Sequence, residues 1–133
     1  MRRALVVLAL AALPGAAFAE IREAKGGQLR VLDKMSGIVS DYDLAVGAFK
    51  QQGRLTVKLD ECRYPSDLPN GEAYAHLTIM DSGLSDPAFK GWMVASSPAL
   101  SALDNPRYDV WVLRCDVPVA DQPSTSAGDG SGG

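Results

Sequence analysis

The sequence predicts a mainly β domain: a compact antiparallel sandwich or small barrel of about six short strands with one short helix. Three observations lead there. Short stretches in which apolar and polar residues alternate recur through the middle of the chain, and period-two alternation marks a half-buried strand. Clusters of Gly, Pro, Asn and Asp separate them, as turns require. There is no heptad, no internal repeat and no strand-helix alternation, so neither a coiled coil nor a parallel α/β fold is indicated. An α+β sheet with the helix packed on one face is the alternative architecture.

In chain order, Leu29 to Leu32 alternates briefly and stops at Asp33-Lys34, with Met35-Ser36-Gly37 as the turn. Ile38 to Leu44 places Ile38, Tyr42 and Leu44 on one face and Val39, Asp41 and Asp43 on the other. Phe49 then precedes a polar run, Lys50 to Gly53. Leu55 to Asp60 has near-perfect period two, with Leu55, Val57 and Leu59 facing in. Cys62 falls on the outward parity of that strand, so a bulge or twist near Glu61 is expected if it is to reach a buried partner. Arg63 to Gly71, with Pro65, Pro69 and Asn70-Gly71, is a loop. Tyr74 to Met80 is a strand with Ala75, Leu77 and Ile79 on one face and Tyr74, His76, Thr78 and Met80 on the other. Asp81 to Pro87 is a second loop, and Phe89 to Val94 is extended again. Ser96 or Ser97 stands where an N-cap belongs and Pro98 at the first helical position, while Asn105-Pro106 ends a helix of little more than one turn. Tyr108 to Cys115 is rich in β-branched and aromatic residues and apolar on both parities, as expected of a central strand.

Arg2 and Arg3, the apolar run Ala4 to Leu13 and Ala17-Phe18-Ala19 have the order of a secretory signal peptide over residues 1–19, cleaved before Glu20. The apolar run is too short for a stable span, so no membrane span is expected after cleavage. Residues 20–27, polar with a Gly-Gly pair, read as a lead-in. A single β domain follows over 28–118, and residues 119–133, dominated by Gly, Ser, Asp and Pro, read as a disordered tail. Loss of Arg2 and Arg3 from the 13 Lys and Arg leaves 11 against 16 Asp and Glu, a mature net charge of −5. That balance, with no basic cluster, argues against nucleic acid or an anionic membrane surface as partner.

An exported chain meets an oxidising compartment, and its two cysteines, Cys62 and Cys115, form an even count. A disulfide between them is the expected pairing, with two free thiols or a nucleophilic cysteine as the alternatives. No C-x-x-C is present, and the single histidine gives little to activate a thiolate. His76 supplies at most one nitrogen ligand, so no metal and no cofactor is expected. As a general base it would need a nucleophile and an orienter; Ser96 and Ser97 match no nucleophile motif and are accounted for as a helix cap. Asp41 with Asp43, and Asp60 with Glu61, are the carboxylate pairs a glycoside hydrolase would need, although acidic residues on outward strand faces are ordinarily solvated. Catalytic residues: none. Trp111, between Val110 and Val112, is expected in the core, while Trp92 has the chemistry for either core or surface.

The stretch Gly91 to Cys115, with the pattern GWM-x-ASSPALSAL-x-x-P-x-YDVWVL-x-C, resembles the signature of a small exported alphaproteobacterial family, domain-of-unknown-function family 2155. The resemblance extends through Leu32-Asp33-Lys34, Ser36-Gly37, Gly53-Arg54-Leu55, Val57 and Cys62, and so covers nearly all of the folded domain. This chain departs at Val94, where relatives tend to have Phe, and in its short loop after Cys62. The resemblance implies a periplasmic location and a compact domain, carries over no catalytic residue, and marks the signature stretch as structural or an interface.

Two functional classes follow. One is a non-enzymatic periplasmic protein-interaction or accessory module, its partner an envelope protein such as the periplasmic face of an inner-membrane complex. The other is a small-ligand or glycan-binding β domain that uses exposed aromatics, Trp92, Tyr74 and Tyr108. The interface or ligand candidates are Trp92, Tyr108, Tyr74 and Met93. A flat apolar patch favours the first class, a concave groove floored by tryptophan the second.

Overall fold

The structure, a computed structural model, describes Gly15 and residues 20–122. Apart from Gly15, the leader expected over residues 1–19 lies outside the described residues, as does the tail from residue 123. Eight strands form: β1 (Ile21–Ala24), β2 (Gly26–Asp33), β3 (Val39–Ala45), β4 (Phe49–Gln52), β5 (Leu55–Pro65), β6 (Tyr74–Asp81), β7 (Phe89–Val94) and β8 (Tyr108–Cys115). All pairing is antiparallel. One sheet runs β1-β5-β6-β7 with β4 also on β5, and the other runs β3-β2-β8. This is the sandwich expected from the alternation, with no closed barrel among the described residues.

The two inner faces make the core. Leu55, Val57, Leu59, Ala75, Leu77 and Ile79 from one sheet meet Leu29, Val31, Val110 and Val112 from the other, all buried. Burying an aliphatic side chain of this kind contributes about 1.5–3 kcal/mol, which is why the period-two residues fix the register of each strand. Cys62 joins them through the expected irregularity. The β5–β6 register shifts between Leu59 and Glu61, leaving Asp60 out of the ladder and bringing Cys62 opposite Ala75. Across the core, the Cys62 and Cys115 sulfurs lie 2.06 Å apart, which ties β5 of one sheet to β8 of the other.

Several elements differ from the sequence reading. The 20–27 lead-in is part of the domain: β1 pairs with β5, and both Gly26 and Gly27 lie buried in β2. A Cβ on Gly27 would stand 2.9 Å from Cys62 Sγ, so this glycine is set by close packing and not by flexibility. Phe49 to Gln52, read only as Phe49 followed by a polar run, is strand β4. The helix shrinks to one 3-10 turn, Pro98–Leu100, and Ser97 makes no side-chain cap bond. Beyond that turn Leu103 enters the core and Asn105 is buried, accepting the N–H groups of Arg107 and Tyr108; these anchors pull the chain out of the helix. Val119–Asp121, placed in the tail, forms a second 3-10 turn whose Asp121 accepts from Arg22 and Tyr64.

β8 is an edge strand, not a central one. Trp111, expected in the core, is half-buried on the outer face of the smaller sheet, where it lines an apolar groove of about 360 Å3 with Pro98, Ala99 and Ala102. Two of the proposed interface residues move the other way. Tyr108 is only 3% exposed, with its hydroxyl against Gly53, and Met93 is 2% exposed opposite Ala75.

Met93→Ala is therefore expected to cost about 2–5 kcal/mol, the range for truncating a buried methionine, and Trp111→Ala to cost less. Urea midpoints for the two variants rank them, and a larger loss for Trp111→Ala would place that ring in the core. Replacing Cys62 and Cys115 together by Ala is expected to cost about 2–5 kcal/mol, as for a native link in a small exported domain. Denaturation without reductant reads the difference, which should vanish when wild type is reduced.

Candidate functional site

The outer face of the larger sheet gathers the polar and aromatic residues that the core excludes. Cross-strand pairing sets Glu61, His76 and Trp92 in one row across β5, β6 and β7, and Glu23, Arg63, Tyr74 and Val94 in the next. Residues two apart on a strand share a face, so the two rows adjoin. The Arg63 guanidinium lies over the Trp92 ring, 5.1 Å from its centroid, within cation–π range. The same guanidinium pairs with Glu61 at 2.7 Å and Glu23 at 3.5 Å, while its Nε is buried without a partner. Trp92 is 39% exposed and Ile21 51%. With Arg63 and Tyr74 they line a shallow, open, mostly apolar depression of about 290 Å3.

Beside this patch Asp60, outward on the regular parity of β5, is left unpaired by the bulge between the rows of Thr78 and His76. Asp60 Oδ2 accepts the Thr78 hydroxyl at 2.6 Å and meets His76 Nδ1 at 2.8 Å. The His76 ring stands edge-on to Trp92, with centroids 5.2 Å apart. Partial burial pushes the Asp60 carboxyl up, but the Thr78 and His76 hydrogen bonds outweigh it and hold the group below the ordinary carboxylate range. Chemically this is an oriented histidine, the base-and-orienter half of a hydrolytic triad. The nearby hydroxyls are committed elsewhere: Thr78 donates to Asp60 and Ser96 to Glu72. Of the serines weighed as nucleophiles or caps, Ser97 makes no side-chain cap bond, and Ser96 closes the loop onto Glu72 through its hydroxyl and its N–H.

Three of the four carboxylates weighed as hydrolytic pairs are also engaged. Asp41 takes two bonds from Arg30, Asp60 is held as above, and Glu61 takes Arg63. Among the described residues no group of three or more His, Cys, Asp or Glu is placed to hold a metal ion, and no helix is long and apolar enough to cross a membrane. Of the four interface candidates, Trp92 and Tyr74 come together on one surface, and Tyr108 and Met93 do not. Arg63 and Ile21 were missed. The misplaced parity of Cys62 was the one signal for Arg63, because the bulge it implied turns Glu61 and Arg63 outward.

Since the folded pKa of Asp60 lies below its unfolded value of about 3.9, its contribution to stability is present above that value and lost as pH falls through the lower folded one. Thermal midpoints measured from pH 7 to pH 2 should drop in the acid range, and Asp60→Asn should flatten part of that drop. An unchanged acid profile for the variant would show that Asp60 is not held as described.

The family model described as "Uncharacterized protein conserved in bacteria (DUF2155)" matches residues 27–115, which runs from the second residue of β2 through the last residue of β8 and leaves β1 outside. An uncharacterized protein of Rickettsia prowazekii (strain Madrid E) is 31% identical over 100 residues, 73% of this chain and 64% of that protein. The chain thus spans somewhat less than two thirds of the length of that curated relative. No solved structure matches.

Proposed function

The chain belongs to the DUF2155 family, and from that premise we propose that it is a non-enzymatic periplasmic accessory module that holds a partner protein on the outer face of its larger sheet. The observation that carries this reading is the patch of Trp92, Arg63, Tyr74 and Ile21. Trp, Tyr and Arg are the side chains that most often anchor protein interfaces, and an exposed apolar patch on a small domain marks a contact surface. Its shallow form suits a flat partner. Export, implied by the signal-peptide order at the N-terminus, places such a partner in the cell envelope, with the periplasmic face of an inner-membrane complex as a candidate.

The glycan reading is less well supported. One face of the Trp92 ring carries Arg63, which takes the place a pyranose would stack on, and Tyr108, the third aromatic of that reading, is buried. A turnover role for His76 lacks a free hydroxyl nucleophile in the hydrogen bonds around it.

Complementation of a deletion strain at matched protein level tests the reading. Trp92→Asp is expected to abolish the cellular role while leaving the domain folded, and His76→Ala to retain it. A folded His76→Ala that fails, together with a Trp92→Asp that complements, would replace docking by catalysis.

A further inference from the structure

The charges around the Trp92 patch are not balanced. Arg63 alone serves two carboxylates, Glu61 and Glu23, and the latter is held loosely with 78% of its side chain exposed. Arg22 adds no cation to this face: it lies on the opposite parity of β1 from Ile21 and Glu23, where Asp121 and Glu20 hold it. Glu72, one residue before Ala73 and Tyr74, is held by Ser96 and has no cation in its hydrogen bonds. Two carboxylates, Glu61 and Glu23, therefore share the one guanidinium that lines the depression, and Glu72, two residues before Tyr74, adds a third carboxylate with no cation of its own. The cations of the same sheet face lie at its other end, where Lys58 and Lys90 flank Thr78 and Lys58 faces Asp60. The face is thus polarised, with an apolar centre, an acidic side toward β1 and a basic side beyond His76.

We propose that the partner segment seated on this patch is basic: an apolar side chain fills the depression between Ile21, Tyr74 and Trp92, and a Lys or Arg beside it engages Glu23 and Glu61. This rests on the docking reading above and names the chemistry of its occupant. The looser bond from Glu23 to Arg63 is the one that an incoming cation replaces, since Glu61 is held closer. Charge complementarity of this kind speeds encounter and is weakened by salt.

Two probes test it on the mature chain carrying Trp111→Phe, so that Trp92 is the remaining tryptophan. The peptides Lys-Lys-Leu-Leu-Lys-Lys and Glu-Glu-Leu-Leu-Glu-Glu, both with blocked ends, are titrated while Trp92 fluorescence is followed. The basic peptide is expected to saturate and to weaken at least tenfold when Glu23→Gln and Glu61→Gln are combined; in Trp92→Ala, where calorimetry replaces fluorescence as the readout, its binding is expected to be lost. Stronger binding of the acidic peptide, indifference to the two glutamates, or no response to the basic peptide at millimolar concentration overturns the proposal. In the deletion strain, Glu23→Lys should impair complementation. Failure of Trp92→Asp alongside full activity of Glu23→Lys would leave the docking face standing and remove the basic partner. Photo-crosslinking from position 23 in cells then reads the occupant directly. A crosslinked segment with Lys or Arg beside an apolar residue supports the proposal, and an acidic segment or a second copy of this chain overturns it.

Discussion

Cys62 and Cys115 meet between the two sheets, and the chain around them is shaped so that they can. Gly27, opposite Cys115 in register, leaves no room for a Cβ beside Cys62 Sγ. On β5 the strand drops Asp60 from its ladder so that Cys62 turns inward. Closing a loop across a separation of 53 residues restricts the unfolded chain by about 4 kcal/mol in the entropic account, a large share of the stability of a domain this small. The same bulge has an outward consequence. It presents Asp60 to His76 and Thr78 and sets Glu61 and Arg63 on the face that carries Trp92, so the covalent centre and the surface array share one cause.

The strands with regular alternation were legible in the sequence because burial of one face decides them. Leu55, Val57 and Leu59, or Ala75, Leu77 and Ile79, have one good placement each. β1 was hidden because its polar residues carry no core signal, and because Gly26-Gly27 has the composition of a linker while serving a close approach. β4 was hidden because it lies along β5 with Phe49 exposed. Trp111 has a more specific explanation. Counting back by twos from the buried Cys115 puts Trp111 inside, but the β2–β8 register shifts beside Gln28 and Leu29, leaving Leu113 unpaired. That extra residue reverses the parity and sends Tyr108, Val110 and Val112 inward instead. Of the candidate site, Tyr74 was readable on the parity opposite Ala75, Leu77 and Ile79 and Trp92 as an aromatic suited to either core or surface, whereas Arg63 needed the bulge and Ile21 needed β1.

The sheet edges bear on how a partner can approach. β1 and β4 are four residues each, β3 presents Asp41 and Asp43 on exposed positions, and β7 carries Lys90. The crossover from β7 to β8 brings Leu103 into the core and along the groove that Val110 and Trp111 line, so the apolar edge strand is flanked by its own chain. Short strands, charges and covering segments are the usual means of blunting an edge against strand addition. With the edges treated in this way, the faces are what the domain leaves for recognition, and the larger sheet has the face with the exposed aromatic and the uneven charge.

The stretch from Gly91 to Cys115 joins these threads because it passes from one sheet to the other. Met93 faces the core, Leu103 closes its side, and Asn105 holds the N–H groups of Arg107 and Tyr108 while donating to Asp81. Tyr108 packs on Gly53, and Cys115 makes the link. Packing therefore accounts for most of the large residues in the stretch, which is why a signature there need not imply chemistry. It does not account for Trp92 and Trp111, which stand on opposite outer faces and leave apolar surface in water. Trp111 lines its groove beside Asp109, which pairs with Lys34, and stands opposite Arg30, which Asp41 holds through two bonds, whereas at Trp92 the guanidinium of Arg63 lies over the ring itself and serves both Glu61 and Glu23, a charge pattern that can discriminate between partners. The proposed docking is accordingly better placed at Trp92, where an apolar contact and a charge pattern coincide.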